Sequence, residues 1–265
     1  MPVAPESRKT NKRRKAILEA LAGKQSVRVA ELSSQLGVSE VSIRRDLRYL
    51  QNAGLLHRSR GTAEAARQLS VFEGRLLHAS AVKRAIGKAA AALVKPGSTI
   101  FLDSGTTVLQ IAEQLPETLL NAGGLTIITR SLTIAAELRK RRQVRLILLG
   151  GLYAPDFDDF VGSAVDRALE EIHADILFVG TDGVTAERGF TTDNVLEAGL
   201  YRKIISCADR VVAVTDSTKI GAGKVQSILP FDAIHAFITD SAAPQGFIGS
   251  LRDRGIEVII VPVPE

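Results

Sequence analysis

The chain has 265 residues, 45% hydrophobic and 24% charged, with a formal net charge of +5. That length suits one full-sized domain plus a small one, and the composition excludes a disordered chain. The single cysteine, Cys207, excludes an internal disulfide, and the longest apolar runs, such as Val258 to Val263, are strand-length and far short of a membrane span. No sustained apolar segment follows the basic stretch Arg8 to Lys15, so nothing resembles a signal peptide and a cytoplasmic protein is expected.

Residues 1–10 hold two prolines and polar residues and read as a loose basic arm. A first helix is predicted from about Asn11 to Ala22, with Ile17, Leu18 and Leu21 facing inward and Gly23 placed to end it. Val29, Leu32 and Leu36 then recur at helical spacing. Gly37 supplies a residue able to turn with φ > 0, Ser39 caps a new helix, and Ile43, Leu47 and Leu50 resume the period. This pattern is a helix-turn-helix. Gly54 closes its last helix, and Leu55 to Arg60 followed by Gly61 reads as a short strand and turn, which makes residues 11–62 a winged helix-turn-helix.

Stepping about 100° per residue, the second helix of the motif buries Ile43, Leu47 and Leu50 and leaves Val41, Ser42, Arg44, Arg45, Arg48 and Tyr49 on the opposite arc. Arginine forks onto guanine O6 and N7, a serine hydroxyl reaches a base edge or a phosphate, and valine touches a thymine methyl. With Ser39 at its start, this arc is expected to read the major groove of double-stranded operator DNA. A basic surface helix is more often merely solvated, but here the charge is segregated. Residues 1–62 carry 13 Lys and Arg against 5 Asp and Glu, a net +8, whereas residues 63–265 carry 21 against 24, a net −3. Arg58 and Arg60 of the wing are candidate phosphate contacts, which position a protein without reading sequence. One such module buries only about 600–1,000 Å² on DNA, so a homo-oligomer, dimer or tetramer, is expected.

Residues 63–80 are rich in Ala, Arg and Ser with little period and are expected to be a linker. From residue 81 to 265 helices alternate with apolar strands. A helix over Lys83–Val94 precedes strand-like runs at Thr99–Leu102, Leu125–Thr129, Val144–Leu149, Ile176–Val179, Arg210–Val214, Ile234–Thr239 and Glu257–Val261. Helices are predicted at Val108–Leu115, Leu132–Leu138, Ala164–Ile172, Val195–Cys207 and Gln245–Arg254. That alternation implies an α/β domain around a largely parallel sheet.

Ligands of such sheets bind beyond the carboxyl ends of the strands. There the chain places Asp103, Ser104, Gly105, Thr106 and Thr107; Thr129, Arg130 and Ser131; Gly150 and Gly151; Gly180, Asp182 and Gly183; and Asp216 with Lys219. A glycine flanked by hydroxyl residues at the start of a helix suits an anion such as phosphate, although Ser and Thr also begin many helices that bind nothing. Asp103, Asp182 and Asp216 are expected to accept hydrogen bonds from hydroxyls, and the combination suggests a phosphorylated sugar. Lys203, Thr192, Asn194 and Glu197 are further candidates. His57, His78, His173 and His235 are scattered, so no metal site, cofactor or catalytic set is assigned.

Residues 13 to 61 resemble the DNA-binding signature of the DeoR family of bacterial transcriptional repressors, above all at Val38-Ser39 and Ile43-Arg44-Arg45-Asp46-Leu47. The resemblance continues through Phe72, Arg75, DSGTT at 103–107, Gly150-Gly151, GTDG at 180–183, GFTT at 189–192, Glu197-Ala198 and DSTK at 216–219. It implies a regulator of sugar catabolism whose C-terminal domain, similar to ribose-5-phosphate isomerase and glucosamine-6-phosphate isomerase, binds a phosphorylated sugar and so releases DNA. Residues 210–261 look closest to the amino-sugar or galactitol branch. Two departures stand out: Ser59-Arg60-Gly61-Thr62 where the family usually has His-Gly-Gly, and Thr129-Arg130-Ser131 where Thr-Asn-Ser is common, which puts a charge beside the ligand pocket. Two competing classes are an active aldose–ketose isomerase with a DNA-binding appendage, using Asp182, Glu197 and Lys219, and a nucleoid-type architectural protein, which has little use for a large α/β domain.

Overall fold

The computed structural model describes residues 8–21, 26–52, 56–59, 61–65, 70–76, 81–194 and 198–263. The chain divides into two compact units, Met1–His78 and Ala79–Glu265.

In the first unit α1 (Arg8–Leu21), β1 (Val27–Arg28), α2 (Val29–Leu36), α3 (Glu40–Asn52), β2 (Leu56–Ser59), β3 (Thr62–Ala65) and α4 (Val71–Leu76) follow in order. Ile17, Leu21, Leu32, Ile43, Leu47 and Leu50 meet in one core, the apolar stripes expected from the spacing. Between α2 and α3, Gly37 takes φ +62°, a left-handed conformation that costs glycine little. β3 pairs antiparallel with β2 on one side and with β1 on the other, and the Val29 N–H donates to the Gly61 carbonyl, so the wing is tied to the start of α2. The stretch 63–80, expected to be a linker, instead holds β3 and α4. Its Ser70 and Glu73 form a reciprocal capping box, Ser70 N–H to Glu73 Oε2 at 3.0 Å and Glu73 N–H to Ser70 Oγ at 3.1 Å.

Asp46 lies on the buried stripe of α3, three residues after Ile43 and four before Leu50, at 0% exposure. Its carboxylate accepts from Arg13 Nε at 2.5 Å and Arg14 Nε at 3.2 Å, joining α1 to α3.

The second unit contains α5 (Ala81–Ala91), β4 (Thr99–Leu102), α6 (Thr106–Gln114), α7 (Glu117–Asn121), β5 (Thr126–Thr129), α8 (Leu132–Leu138), β6 (Arg145–Leu148), β7 (Leu152–Ala154), β8 (Asp159–Val161), α9 (Ser163–Glu170) and β9 (Ala174–Val179). It continues with β10 (Gly183–Thr185), β11 (Gly189–Thr192), α10 (Ala198–Ser206), β12 (Ala208–Val214), β13 (Gln226–Leu229), β14 (Ala236–Asp240), α11 (Gln245–Asp253) and β15 (Glu257–Val261). The seven apolar runs expected to be strands form one sheet in the order β15-β14-β12-β9-β4-β5-β6, and every neighbouring pair is parallel. Phe101, Leu177, Phe190, Val211 and Phe237 lie in its main core. Two small additions were not expected: the antiparallel hairpin β7–β8 and the antiparallel sheet β10-β11-β13. α5 and α6 approach closely at Gly87, where a Cβ would stand 2.6 Å from the Gln110 carbonyl carbon.

Replacing Asp46 with Ala leaves two guanidiniums facing a dry pocket, and breaking a buried pair in this way costs about 3 kcal/mol or more. Denaturant unfolding of the variant should therefore report an earlier transition of the first unit; an unchanged midpoint contradicts the role given to Asp46.

Candidate DNA-reading helix and ligand site

α3 turns the expected arc outward. Val41 is 77% exposed, and Arg44, Arg45 and Arg48 are exposed beside it. Ser39 stands before the helix with its Oγ 3.4 Å from the Ser42 N–H and 3.1 Å from Ser42 Oγ. Arg44 lies along its own helix on Glu40, at 2.8 Å. The Tyr49 ring carries the Arg14 guanidinium 3.5 Å from its centroid. Arg58 is half-buried on β2, and Arg60 lies outside the described residues.

In the second unit the strand order sets where a crevice can open. The chain runs outward from β4 to β5 to β6, then returns to place β9 on the other side of β4. The carboxyl ends of β4 and β9 therefore flank the topological switch point, where open α/β sheets form a crevice. The loops beyond them, Asp103–Thr107 and Gly180–Gly183, face each other: a Cβ on Gly180 would lie 3.7 Å from the Ser104 carbonyl oxygen.

The first of these loops opens a helix with its backbone N–H groups facing outward from the strand end. Gly105, at φ +117° and ψ 152°, adopts a conformation closed to other residues and is the N-cap of α6, which no side chain among the described residues caps. The first-turn N–H groups of α6 therefore have no intrahelical acceptor and carry the positive end of its dipole. The face that a side chain at Gly105 would fill is open. Beside it, Lys83 of α5 is 6% exposed and donates from Nζ to Thr106 Oγ1 at 3.1 Å. Lys83 was missed as a site residue, although it shares the inward face of α5 with Ile86, Gly87 and Ala90.

Asp103 does not point a free carboxylate at this space. It is fully buried, its Oδ1 accepts from Arg130 Nε at 2.6 Å and its Oδ2 from Tyr201 OH at 2.9 Å, so its expected role toward ligand hydroxyls is corrected. Arg130 is likewise fully buried and ion-paired, not a charge presented to a pocket. Ser131 caps α8 through its Oγ and donates to Asp158, and Thr129 Oγ1 accepts from the Ser131 N–H.

Five of the parallel strands, β12, β9, β4, β5 and β6, are consecutive neighbours, so all the expected loops open at one end of the sheet. At about 4.8 Å per strand they span roughly 19 Å, more than one small ligand covers. Asp182, beyond β9, accepts from Thr192 Oγ1 at 3.1 Å, and Thr192 Oγ1 accepts from the Asn194 N–H at 3.0 Å. Asp216 caps the short turn that carries Lys219, which is half-buried beyond β12. Gly150 is exposed beyond β6, Gly151 packs on Val161, and Gly183 lies against Ala222. Thr107 is half-buried on the first turn of α6. Glu197 lies outside the described residues.

Lys203 is not part of this end. It lies in the last turn of α10, which leads into the amino end of β12, and it pairs with Glu170 at 3.0 Å on the surface. Cys207 is no nucleophile either: desolvation pushes its thiol up to about 11, and its Sγ–H donates to the Ile204 carbonyl at 2.9 Å. Among the described residues no cluster of His, Cys, Asp and Glu is placed to hold a metal ion, and no helix is long and apolar enough to cross a membrane.

Comparison with known proteins matches residues 13–68 to the DeoR-like helix-turn-helix domain and residues 78–241 to the DeoR C terminal sensor domain. A protein of Escherichia coli O157:H7 named for repression of the aga operon is 34% identical over 95% of this chain and 94% of its own length. The HTH-type transcriptional regulator GolR of Listeria innocua is 32% identical over 94% of this chain and 97% of its own. The HTH-type transcriptional repressor GlcR of Bacillus subtilis is 30% identical over 94% and 96%. Among solved structures, ribose 5-phosphate isomerase A from Methanocaldococcus jannaschii covers 52% of this chain and 53% of its own at 19% identity and a TM-score of 0.38, too low to establish a shared fold. With a sensor-domain match over more than half its length and relatives aligned from end to end, the chain belongs to the DeoR family of transcriptional regulators: a DNA-binding helix-turn-helix domain followed by a small-molecule sensor domain.

Proposed function

We propose that this protein is a cytoplasmic repressor of a sugar-catabolism operon, released from its operator by a phosphorylated sugar. Residues 11–62 read DNA and residues 81–265 sense the effector, with a dimer or tetramer as the working form. The observation that carries the effector class is the uncapped N-terminus of α6 at the switch point, with the buried ammonium of Lys83 at its first residue. The names of two relatives, a putative aga operon transcriptional repressor and the transcriptional repressor GlcR, support a carbohydrate ligand.

In this scheme the phosphate lies on the N–H groups of Gly105, Thr106 and Thr107, with Lys83 supplying charge. The sugar extends over the crevice toward Gly180 and Asp182. Val41, Ser42, Arg45 and Arg48 read the major groove, and Arg44 joins them by leaving Glu40. A full switch from 99:1 bound to 1:99 requires the effector to prefer the non-binding conformation by about 5.5 kcal/mol. An isomerase is the weaker alternative, because Asp182 accepts from Thr192 Oγ1 and the Asp193 N–H, and Lys219 sits two strands from β4.

Two measurements test this. Arg45→Ala and Arg48→Ala should each weaken operator binding by about 1–3 kcal/mol at one fixed salt concentration, if each makes a bidentate base contact. Unchanged affinity in both variants moves the reading face elsewhere. Gly105→Val should bind operator normally and ignore the effector that releases the wild type, since the loop no longer reaches its φ of +117°. Release at the wild-type concentration displaces the effector from this loop, and turnover of the sugar phosphate at enzyme-like rates favours the isomerase.

A further inference from the structure

Arg130, fully buried, connects three parts of the second unit. Its Nε donates to Asp103 Oδ1 at the end of β4 (2.6 Å), its Nη1 to Asp159 Oδ2 on β8 (2.7 Å) and its Nη2 to Ser104 Oγ in the ligand loop (3.2 Å). Ser104 Oγ in turn donates to Asp159 Oδ2 at 3.3 Å. The main chain follows the same path: the Phe160 N–H donates to the Arg130 carbonyl at 2.9 Å, and Ser131 bridges Asp159. Asp158, next in line, has φ +58°, a strained value for a residue with a side chain, and is held by Ser131 Oγ (2.6 Å), the Thr133 N–H (3.0 Å) and Tyr153 OH (3.0 Å). β7 is the exposed strand of the hairpin, with Leu152 at 70%, whereas Val161 at the end of β8 is buried in the main core. At Asp158 and Asp159, carboxylates join the β7–β8 hairpin to the carboxyl end of the sheet, ahead of the apolar anchor at Val161.

We propose that Arg130 is a positioning residue that couples the ligand loop to the β7–β8 hairpin, so that a phosphate bound at Gly105–Thr107 loosens the hairpin. The proposal rests on the assignment of that loop to a phosphate. The carboxylates of Asp103 and Asp159 share the Arg130 guanidinium, so within this triad negative charge is in excess, in a buried setting where charge is poorly screened. An anion arriving at Ser104–Thr107 repels that excess, and the carboxylate held least firmly gives way. Asp103 is fixed by Arg130, by Tyr201 and by its own N–H on the Phe178 carbonyl. Asp159 belongs to a three-residue strand, and among the described residues its buried Oδ1 has no hydrogen-bond partner. Asp159 is therefore the one to move. Ser104 acts in the same direction, because a hydroxyl that turns its proton to a phosphate oxygen no longer donates to Asp159.

The test is amide hydrogen exchange on the full chain, with inorganic phosphate as the probe. In the wild type, phosphate should slow exchange at residues 105–108 and accelerate it at Phe160. In Asp159→Asn, which keeps an acceptor for Arg130 and removes the excess charge, phosphate should bind roughly tenfold more tightly and no longer alter Phe160. A merely structural Asp159 would weaken phosphate binding when altered, not strengthen it. If that variant does not fold, Ser104→Ala should retain slowing at 106–108 while the Phe160 response shrinks. Slowing at the loop with Phe160 unchanged or slowed overturns the coupling and leaves the phosphate site standing. No slowing at the loop overturns the phosphate site and the coupling together.

Discussion

A strand that runs parallel to its neighbour has to be re-entered from the same end, and the second unit follows from that constraint. Each crossover returns the chain across the sheet, so every turn that leaves a strand collects at one end and every turn that enters a strand collects at the other. The order β15-β14-β12-β9-β4-β5-β6 adds one reversal, at β4 and β9, which opens a crevice with no side chain having to be sacrificed to form it. The nearness of Gly180 to Ser104 follows from that reversal, and Gly105 at the start of α6 lies at the same switch point.

The buried strands were legible because sheets covered on both faces need continuous apolar runs, and seven such runs stand in the sequence. The pieces that escaped are of a different kind. β1 has two residues and β7 and β8 three each, too short for any periodicity to register. The polar cluster escaped for a further reason: Arg130 and Asp159 are 29 positions apart, and nothing in their spacing announces that one neutralises the other. A charged residue after a strand was read as facing a ligand, whereas Asp103 and Arg130 spend their charges on each other. Lys203 is an instructive contrast. The last turn of a helix that feeds a parallel strand belongs to the amino end of the sheet, and that topological fact was available from the sequence.

The two units handle charge by the same device. In the first, Asp46 accepts from Arg13 and Arg14 and fixes α1 against α3; in the second, Arg130 donates to Asp103 and Asp159 and fixes a loop against a hairpin. A buried ion surrounded by two of opposite sign makes a directional joint that apolar packing lacks, because moving either partner leaves a desolvated charge behind. Asp46 was also within reach of the sequence: it falls on the helical stripe defined by Ile43 and Leu50, where an acid demands a basic partner.

The contact of Arg44 with Glu40 has a consequence for how firmly that guanidinium is held. An exposed pair of this type is worth only about 0.3–0.5 kcal/mol, too little to oppose a guanine that offers two acceptors. The pairing therefore sets a low threshold: Arg44 is laid along the helix surface by an interaction that a better acceptor displaces.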